Sequence, residues 1–281
     1  MSDAIDISVI TPSLNMLSYL KRCCASVRDQ GGLSREHIVV DGVSTDGTVE
    51  WLEKQEGIRY KVEPDQGLYD AVNKGIVQSS GLIISYLNCD EQYLPGTLQF
   101  VRKFFDQNPT IDILFGDFLV VRPDGSLLSY RKASPPRWFY FSSAHLYLFT
   151  CTMFLRRRIV EANFHFDTKY KDVADEEFVV RLLRNGYKAK HVNRYFAAFT
   201  YTGKNRSQTT AALDERRVLR QSVPTWVKLC KYPLILSRYA EKLLFGTYTE
   251  TMPLVYSIYA DESATERKHF RVDSATWKWP R

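Results

Sequence analysis

Four short stretches of this sequence hold most of its chemically capable residues, and each follows an apolar run. Pro12-Ser13-Leu14-Asn15 follows residues 7–11, and Asp41-Gly42-Val43-Ser44-Thr45-Asp46-Gly47-Thr48 follows residues 37–40. Glu63-Pro64-Asp65-Gln66-Gly67 follows residues 58–62, and Asn88-Cys89-Asp90-Glu91 follows residues 82–87. One loop of this kind is ordinary turn chemistry, because Asp, Gly, Ser and Asn close turns with their own side chains. Four of them on one edge of a sheet point to a polar ligand. Acidic rather than glycine-rich loops suit a nucleotide diphosphate whose charge is neutralised by a carboxylate-held divalent cation, Mn²⁺ or Mg²⁺. No GxGxxG follows the first run and no GxxxxGK[ST] occurs, so the dinucleotide and P-loop solutions are excluded.

These loops need a scaffold that brings them to one edge. Short apolar runs alternate with amphipathic ones: strands at 7–11, 37–40, 58–62, 82–87 and 113–115, helices at 17–30, 48–55, 68–78 and 95–107. That alternation predicts an α/β fold with a mostly parallel sheet, right-handed crossovers and ligands at the carboxyl ends of the strands. After Gly116 the pattern changes. Arg122-Pro123-Asp124-Gly125 reads as a hairpin turn, residues 131–155 are aromatic and irregular, and helices are expected at 156–161 and 176–185. From about Asp214 the pattern is helical, interrupted by Pro224 and Pro233, and the C-terminus reads as an extended wrap-around tail. The expected division is 1–213, with halves 1–116 and 117–213, followed by a helical extension, 214–281.

Five blocks in order resemble family 2 glycosyltransferases of GT-A fold. They are Thr11-Pro12-Ser13-Leu14-Asn15, the block from Val40 to Thr48, the block from Glu63 to Gly75, Leu87-Asn88-Cys89-Asp90-Glu91, and the block from Ala174 to Leu182. The subgroup flavour is that of bacterial surface-polysaccharide assembly. The resemblance implies a GT-A Rossmann-like sheet flanked by helices and an inverting transfer of a sugar from a nucleotide-diphosphate donor, UDP first among them. The receiving group would be a hydroxyl of a glycan or lipid-linked acceptor.

Residue by residue, the resemblance places Thr11, Pro12, Ser13, Asn15, Asp41, Ser44, Asp46, Asp65, Asn88 and Cys89 around the nucleotide. Asp90, helped by Glu91, would hold the metal. The usual aspartate is replaced by Asn88, which removes one formal charge and predicts weaker metal binding. Asp175 would be the general base that deprotonates the acceptor hydroxyl, with Glu176 as alternative. Lys74, Lys204 and Arg206 are candidates to meet the diphosphate, and His145 is a candidate for the acceptor side. Each has a structural reading beside the functional one. Asp41 can close an Asx-turn, Asn15 can cap the first helix, Asp175 can cap the later one, and Asp70 and Lys74 can form a surface i, i+4 pair.

Composition bounds the remaining classes. With 281 residues, 44% of them hydrophobic and 25% charged, the chain can bury a core and is not a disordered segment. A net charge of +6 suits an anionic substrate or membrane surface. No basic stripe interleaved with stacking aromatics and no zinc-finger spacing argues for nucleic acid. The five scattered cysteines fit a reducing compartment. With no signal peptide or membrane span legible, the expected location is cytoplasmic, peripheral on the inner face of the membrane if the basic amphipathic segment 214–246 rests on lipid. Two alternatives stay open: a nucleotidyltransferase, against which the 12–15 loop speaks, and a nucleotide-sugar-binding protein without catalysis, which Asn88 favours.

Overall fold

The chain builds its sheet from a parallel half and a mixed half. The computed structural model describes residues 5–144, 146–203 and 210–280. In the first half, β1 (Ile7–Ser13), α1 (Leu17–Arg28), β2 (Arg35–Asp41), α2 (Thr48–Leu52), β3 (Ile58–Val62), α3 (Leu68–Gln78) and β4 (Ile83–Tyr86) alternate as the hydrophobic pattern requires. Strand β1 lies between β2 and β4, parallel to both, and β3 adds parallel to β2. All residues of β1 and β4 are buried, which explains their unbroken apolar runs: helices cover both faces.

The second half departs from simple alternation. It comprises β5 (Glu91–Tyr93), α4 (Thr97–Gln107), β6 (Ile113–Val121), β7 (Leu127–Arg131), α5 (Trp138–Ser143), β8 (Met153–Arg156), α6 (Arg157–Glu161), α7 (Ala174–Arg184) and β9 (Ala189–Thr200). The path across the sheet is β3-β2-β1-β4-β8-β6-β9-β5, with β7 paired to β6. Strand β8 runs antiparallel to both β4 and β6, β9 is parallel to β6, and β5 is antiparallel to β9. The sheet is thus parallel at its first four strands and mixed beyond them.

Alternate residues of the strands serve two cores, as the two-residue period of a strand demands. Ile113 and Phe115 of β6 face α3, α5 and α7, while Leu114, Phe118 and Val120 face α1 and α4. The C-terminal region contains α8 (Thr210–Gln221), α9 (Thr225–Leu229) and α10 (Lys231–Leu244). Pro224 precedes α9 and separates it from α8. Pro233 does not interrupt anything: it lies in the first turn of α10, where an N–H has no intrahelical partner to lose. Past α10 the chain is not helical as expected: it forms an antiparallel hairpin of β10 (Leu254–Ile258) and β11 (Lys268–Val272), so only the stretch from β11 on matches the extended tail expected there. It then returns along β7, where the Tyr130 N–H donates to the Thr276 carbonyl at 3.0 Å.

The end of the sheet opposite the polar loops is knitted by one buried carboxylate. Glu36 Oε1 accepts from Ser8 Oγ at 2.6 Å, from the Ser80 N–H at 2.6 Å and from Ser80 Oγ at 2.9 Å. The Gly81 N–H donates in turn to Ser8 Oγ at 2.7 Å. These bonds hold Glu36 below its ordinary pKa against the cost of burial. Glycine is required at 81, because a Cβ would lie 2.5 Å from the Ser8 nitrogen and 2.8 Å from the Ile7 carbonyl carbon, both backbone atoms. Gly81→Ala is expected to destabilise the fold by about 2–4 kcal/mol, measured as a lowered denaturant midpoint. An unchanged midpoint would show that β1 and β4 can separate without loss.

Candidate functional site

A cleft of about 440 Å³ opens at the carboxyl ends of the parallel strands. Pro12, Ser13 and Leu14 reach it from β1, Asp65 and Gly67 from the loop after β3, and Leu68, Tyr69 and Ala71 from α3. Tyr86 at the end of β4 and the whole Asn88-Cys89-Asp90-Glu91 turn line it as well. Its far wall is Phe149, Thr150, Asp175 of α7, Phe199 and Thr202 around the end of β9, and Trp279 from the tail. The loops after β1, β3 and β4 therefore converge, as a doubly wound sheet places them, whereas no residue of the loop after β2 lines the cleft.

Several of the expected nucleotide residues are not on the cleft wall, for identifiable reasons. Asp41 is fully buried, and its two oxygens accept from the Ser44 N–H and from Ser44 Oγ, each at 2.7 Å. Ser44 Oγ also accepts from the Asn15 N–H at 2.7 Å. Asn15 does not cap α1; its Oδ1 accepts from the Thr45 N–H at 2.8 Å and so ties the two loops together. The cap comes from the other loop: Asp46 Oδ2 accepts from the Leu17 N–H at 2.9 Å, while its Oδ1 takes the Thr48 hydroxyl at 2.6 Å. Thr11 points into the core, with Oγ1 2.8 Å from Nε2 of His37, whose pKa burial pushes down to about 3.

The resulting geometry is strained. Asn15 (φ 51°) and Val43 (φ 69°) both occupy the left-handed region, which costs a β-branched residue more than any other. Such conformations persist only where surrounding bonds over-determine them, and they gather at functional sites. Here the Asp41–Ser44–Asn15 chain supplies those bonds. Gly42 adds room: a Cβ there would lie 2.6 Å from Asp65 Oδ2. Asp65 is itself fixed by the Gly67 N–H, which donates to Oδ1 at 2.8 Å.

The turn after β4 holds the strongest electrostatic feature. Glu91 begins β5 and is fully buried opposite Phe199 of β9. Its Oε2 accepts from the Asn88 N–H at 2.7 Å, while Oε1 and the Asn88 Oδ1 are buried with no hydrogen-bond partner among the described residues. Burial drives Asp90 above the ordinary carboxylate range, and burial plus the Asp90 charge does the same to Glu91. Two crowded carboxylates, one of them with an orphaned oxygen, beside the orphaned amide oxygen of Asn88 fit a hard, oxygen-seeking cation. Among the described residues no three carboxylate, imidazole or thiol groups form a complete protein cage. A cation shared with a diphosphate does not need one, because phosphate oxygens complete the shell. The Cys89 thiol donates to the Pro12 carbonyl at 3.2 Å and joins the β1 and β4 ends.

Asp175 and Glu176 part company. Successive residues of a helix point about 100° apart, and Asp175 faces the cleft while Glu176 lines a separate cavity with Glu177, Arg181 and Arg220. Glu176 also meets Arg216 at 3.5 Å, and burial raises its pKa to about 7. Asp175 lies in the first turn of α7, accepts from the Glu176 N–H at 2.8 Å and lines the cleft together with Tyr69. Burial nevertheless leaves its pKa raised. Lys74 is turned away, with Nζ 2.8 Å from the Pro64 carbonyl and 3.1 Å from Asp70. Lys204, Arg206 and His145 lie outside the described residues.

Tyr69, Tyr86, Phe149, Thr150, Phe199 and Trp279 line the cleft without having been singled out. For Tyr86 a signal existed, since it ends the β4 run two residues before Asn88. For Trp279 none did: its place depends on the tail folding back until its ring stands 6.0 Å from both Phe149 and Phe199.

Comparison with known proteins was consistent. The family model described as glycosyl transferase family 2 matches residues 8–164. A hyaluronan synthase of Pasteurella multocida is 26% identical over 228 residues, covering 77% of this chain and 23% of that protein. An uncharacterized glycosyltransferase of Mycobacterium tuberculosis is 44% identical over 96 residues, 33% of this chain and 37% of the other. The chain thus spans well under half the length of these curated relatives. Among solved structures, S. aureus TarS 1-349 in complex with UDP-GlcNAc superposes with a TM-score of 0.62 at 19% identity, covering 86% of this chain and 73% of that one. At that identity the likeness shows a shared fold.

Proposed function

The chain belongs to glycosyl transferase family 2, and we propose that it transfers a sugar, with inversion, from a UDP-linked donor to a hydroxyl of a glycan or lipid-linked acceptor. The observation that carries this reading is the shared cleft. It sets the raised-pKa carboxylate of Asp175 across from Asp65, Ser13 and the Asn88–Glu91 turn. The structural neighbour bound to UDP-GlcNAc supports a nucleotide-sugar donor of that kind. Residues 1–116 would supply the nucleotide side and 117–213 the acceptor side. The 214–281 extension would close the cleft through Trp279.

In this mechanism Asp175 accepts the proton of the acceptor hydroxyl as its oxygen attacks the anomeric carbon. The bond from that carbon to the diphosphate oxygen breaks on the opposite face, and its electron pair leaves with the nucleoside diphosphate. A carboxylate of raised pKa is a stronger base than a solvated one, and the Glu176 N–H, donating to Oδ1 at 2.8 Å, fixes its orientation. Asp90, with Glu91 and the Asn88 amide oxygen, would hold a divalent cation, Mn²⁺ or Mg²⁺, which when bound offsets the charge of the diphosphate. The Asp41–Ser44–Asn15–Thr45 bonds and those of Asp46 to Leu17 and Thr48 would set the nucleotide loops, and the apolar faces of Phe149, Phe199 and Trp279 would exclude water from the sugar.

Asp175→Asn is expected to lower turnover by about 10²–10⁴-fold while donor binding persists. Unchanged turnover removes Asp175 as base. The pH sign follows from the same shift. The base works only when deprotonated, so activity should fall as pH drops, beginning above the value of about 3.9 usual for aspartate; an acid limb at or below that value would contradict the assignment. For the cation, thermal shift with UDP, with and without Mn²⁺, should show metal-dependent stabilisation that Asp90→Ala abolishes and Asn88→Asp strengthens. If Asn88→Asp leaves the metal response as it was, Asn88 does not touch the ion.

Segment 214–246 is proposed to rest on a membrane surface. No helix among the described residues is long and apolar enough to cross a bilayer. Yet Tyr232, Leu236, Tyr239 and Leu243 of α10 form an exposed stripe at helical spacing. Flotation with phosphatidylglycerol vesicles should be reduced in the Leu236→Ser/Leu243→Ser variant. Equal flotation of variant and parent, or none of either, would reject the contact.

A further inference from the structure

Outside the cleft, a pocket of about 150 Å³ lies between β7, α10 and the tail, of the size that holds one small molecule. Its walls carry four cations, Arg131, Lys132, Arg238 and Lys242, and no carboxylate. Of the neighbouring acids one is engaged outside the pocket and the other neutralises Lys132, which leaves Arg131, Arg238 and Lys242 with no carboxylate partner among the described residues. Glu241 bridges Arg137 at 2.7 Å, and Glu250 meets Lys132 at 3.1 Å as well as the Tyr195 hydroxyl. Arg131 donates to the Trp277 carbonyl at 2.6 Å.

Arg238 is the feature that structure alone does not account for. Its residue is 3% exposed, and Nε and Nη1 are buried with no hydrogen-bond partner among the described residues. Its guanidinium stands 5.8 Å from the Tyr147 ring and 5.3 Å from the Tyr239 ring. Ring faces offset part of the charge but satisfy no N–H in the ring plane. A buried guanidinium with unmet donors is costly, and an apolar side chain of similar volume would normally be more stable there. The crowding is felt by its neighbour: burial, then Arg238 and Arg131, bring Lys242 down to about 8.

We propose that this pocket is a binding site for a phosphate group, held by the unmet Arg238 donors together with Lys242 and Arg131. A tetrahedral oxyanion offers acceptors in several directions at once, which suits cations arriving from α10 and β7 better than a planar carboxylate would. The site adjoins the cleft through the tail. Trp277 lines the pocket and Trp279 lines the cleft, and two extended residues span only about 7 Å. The Arg131 guanidinium, 5.6 Å from the Trp279 ring, touches both neighbourhoods. A phosphate here would therefore belong to a phosphorylated acceptor, either a phosphate-bearing glycan or a lipid phosphate whose chain follows the exposed stripe of α10.

The test uses the full chain with saturating UDP, so that the cleft is blocked, and inorganic phosphate as probe. Phosphate should raise the melting temperature by mass-action linkage. The rise should be lost in Arg238→Met and cut severalfold in Lys242→Met. No response in the parent, or an undiminished response in both variants, overturns the proposal. Should Arg238→Met fail to fold, Lys242→Met decides alone. Glycerol 3-phosphate and phosphatidylglycerol vesicles then distinguish the source. Binding of either that Lys242→Met weakens supports the site and identifies the source, whereas neither being weakened counts against it. None of these readouts requires sugar transfer, so this proposal and the catalytic one can fail separately.

Discussion

Three acidic side chains of raised pKa line one cleft. Asp90 and Glu91 crowd one another after β4, and Asp175 adds its charge from α7 across the cleft. Left to themselves, buried like charges push each other toward the protonated form. The surrounding elements hold this arrangement in place. Strand β5 pins Glu91 against β9, the Cys89 thiol ties the turn to the end of β1, and the first turn of α7 holds Asp175. A sheet that placed the same residues on separate edges would have three ordinary surface acids.

The same logic explains why the loops after β1 and β2 are rigid. Their acids are consumed locally: Asp41 by Ser44, Asp46 by the start of α1 and by Thr48. This satisfies helix-end N–H groups that would otherwise lack partners and holds two left-handed residues in place. Acids spent on loop shape and acids that line the cleft sit on one edge. Their hydrogen-bond partners tell them apart, and residue type does not.

That distinction is also what the sequence left illegible. The strand-end loops could be read because apolar runs and intervening helices announce a parallel sheet, and its topology dictates where ligands sit. The assignment of Asp46 or Asn15 to wall or scaffold depended on bonds across some thirty positions of chain, such as Asn15 to Thr45, and that of Asp41 on its bonds to Ser44 three residues on. Strand β9 escaped notice because its first half is polar and half-exposed, with Lys190, His191 and Arg194, and only its second half is buried. Strand β5 is three residues long and was read as a loop. The separation of Asp175 from Glu176 follows from helix geometry, yet knowing which of the two faces the cleft required the position of α7 against α3.

The C-terminal tail ties the large sheet and the helices after residue 210 to one another. Its backbone is held by β7 through Tyr130 and Arg131, and its indoles reach two different cavities two residues apart. Arg131 is common to both: it anchors the tail at Trp277, stacks near Trp279 and contributes charge to the pocket of Arg238. An anion in that pocket would draw on the same guanidinium that positions the tail, so occupancy and the placement of Trp279 on the cleft wall cannot be independent. Coupling of this kind needs no large movement, because one side chain already spans the distance. It also gives the extension a reason to be wrapped around the sheet rather than appended to it: the residues that would sense the acceptor are the residues that complete the cleft.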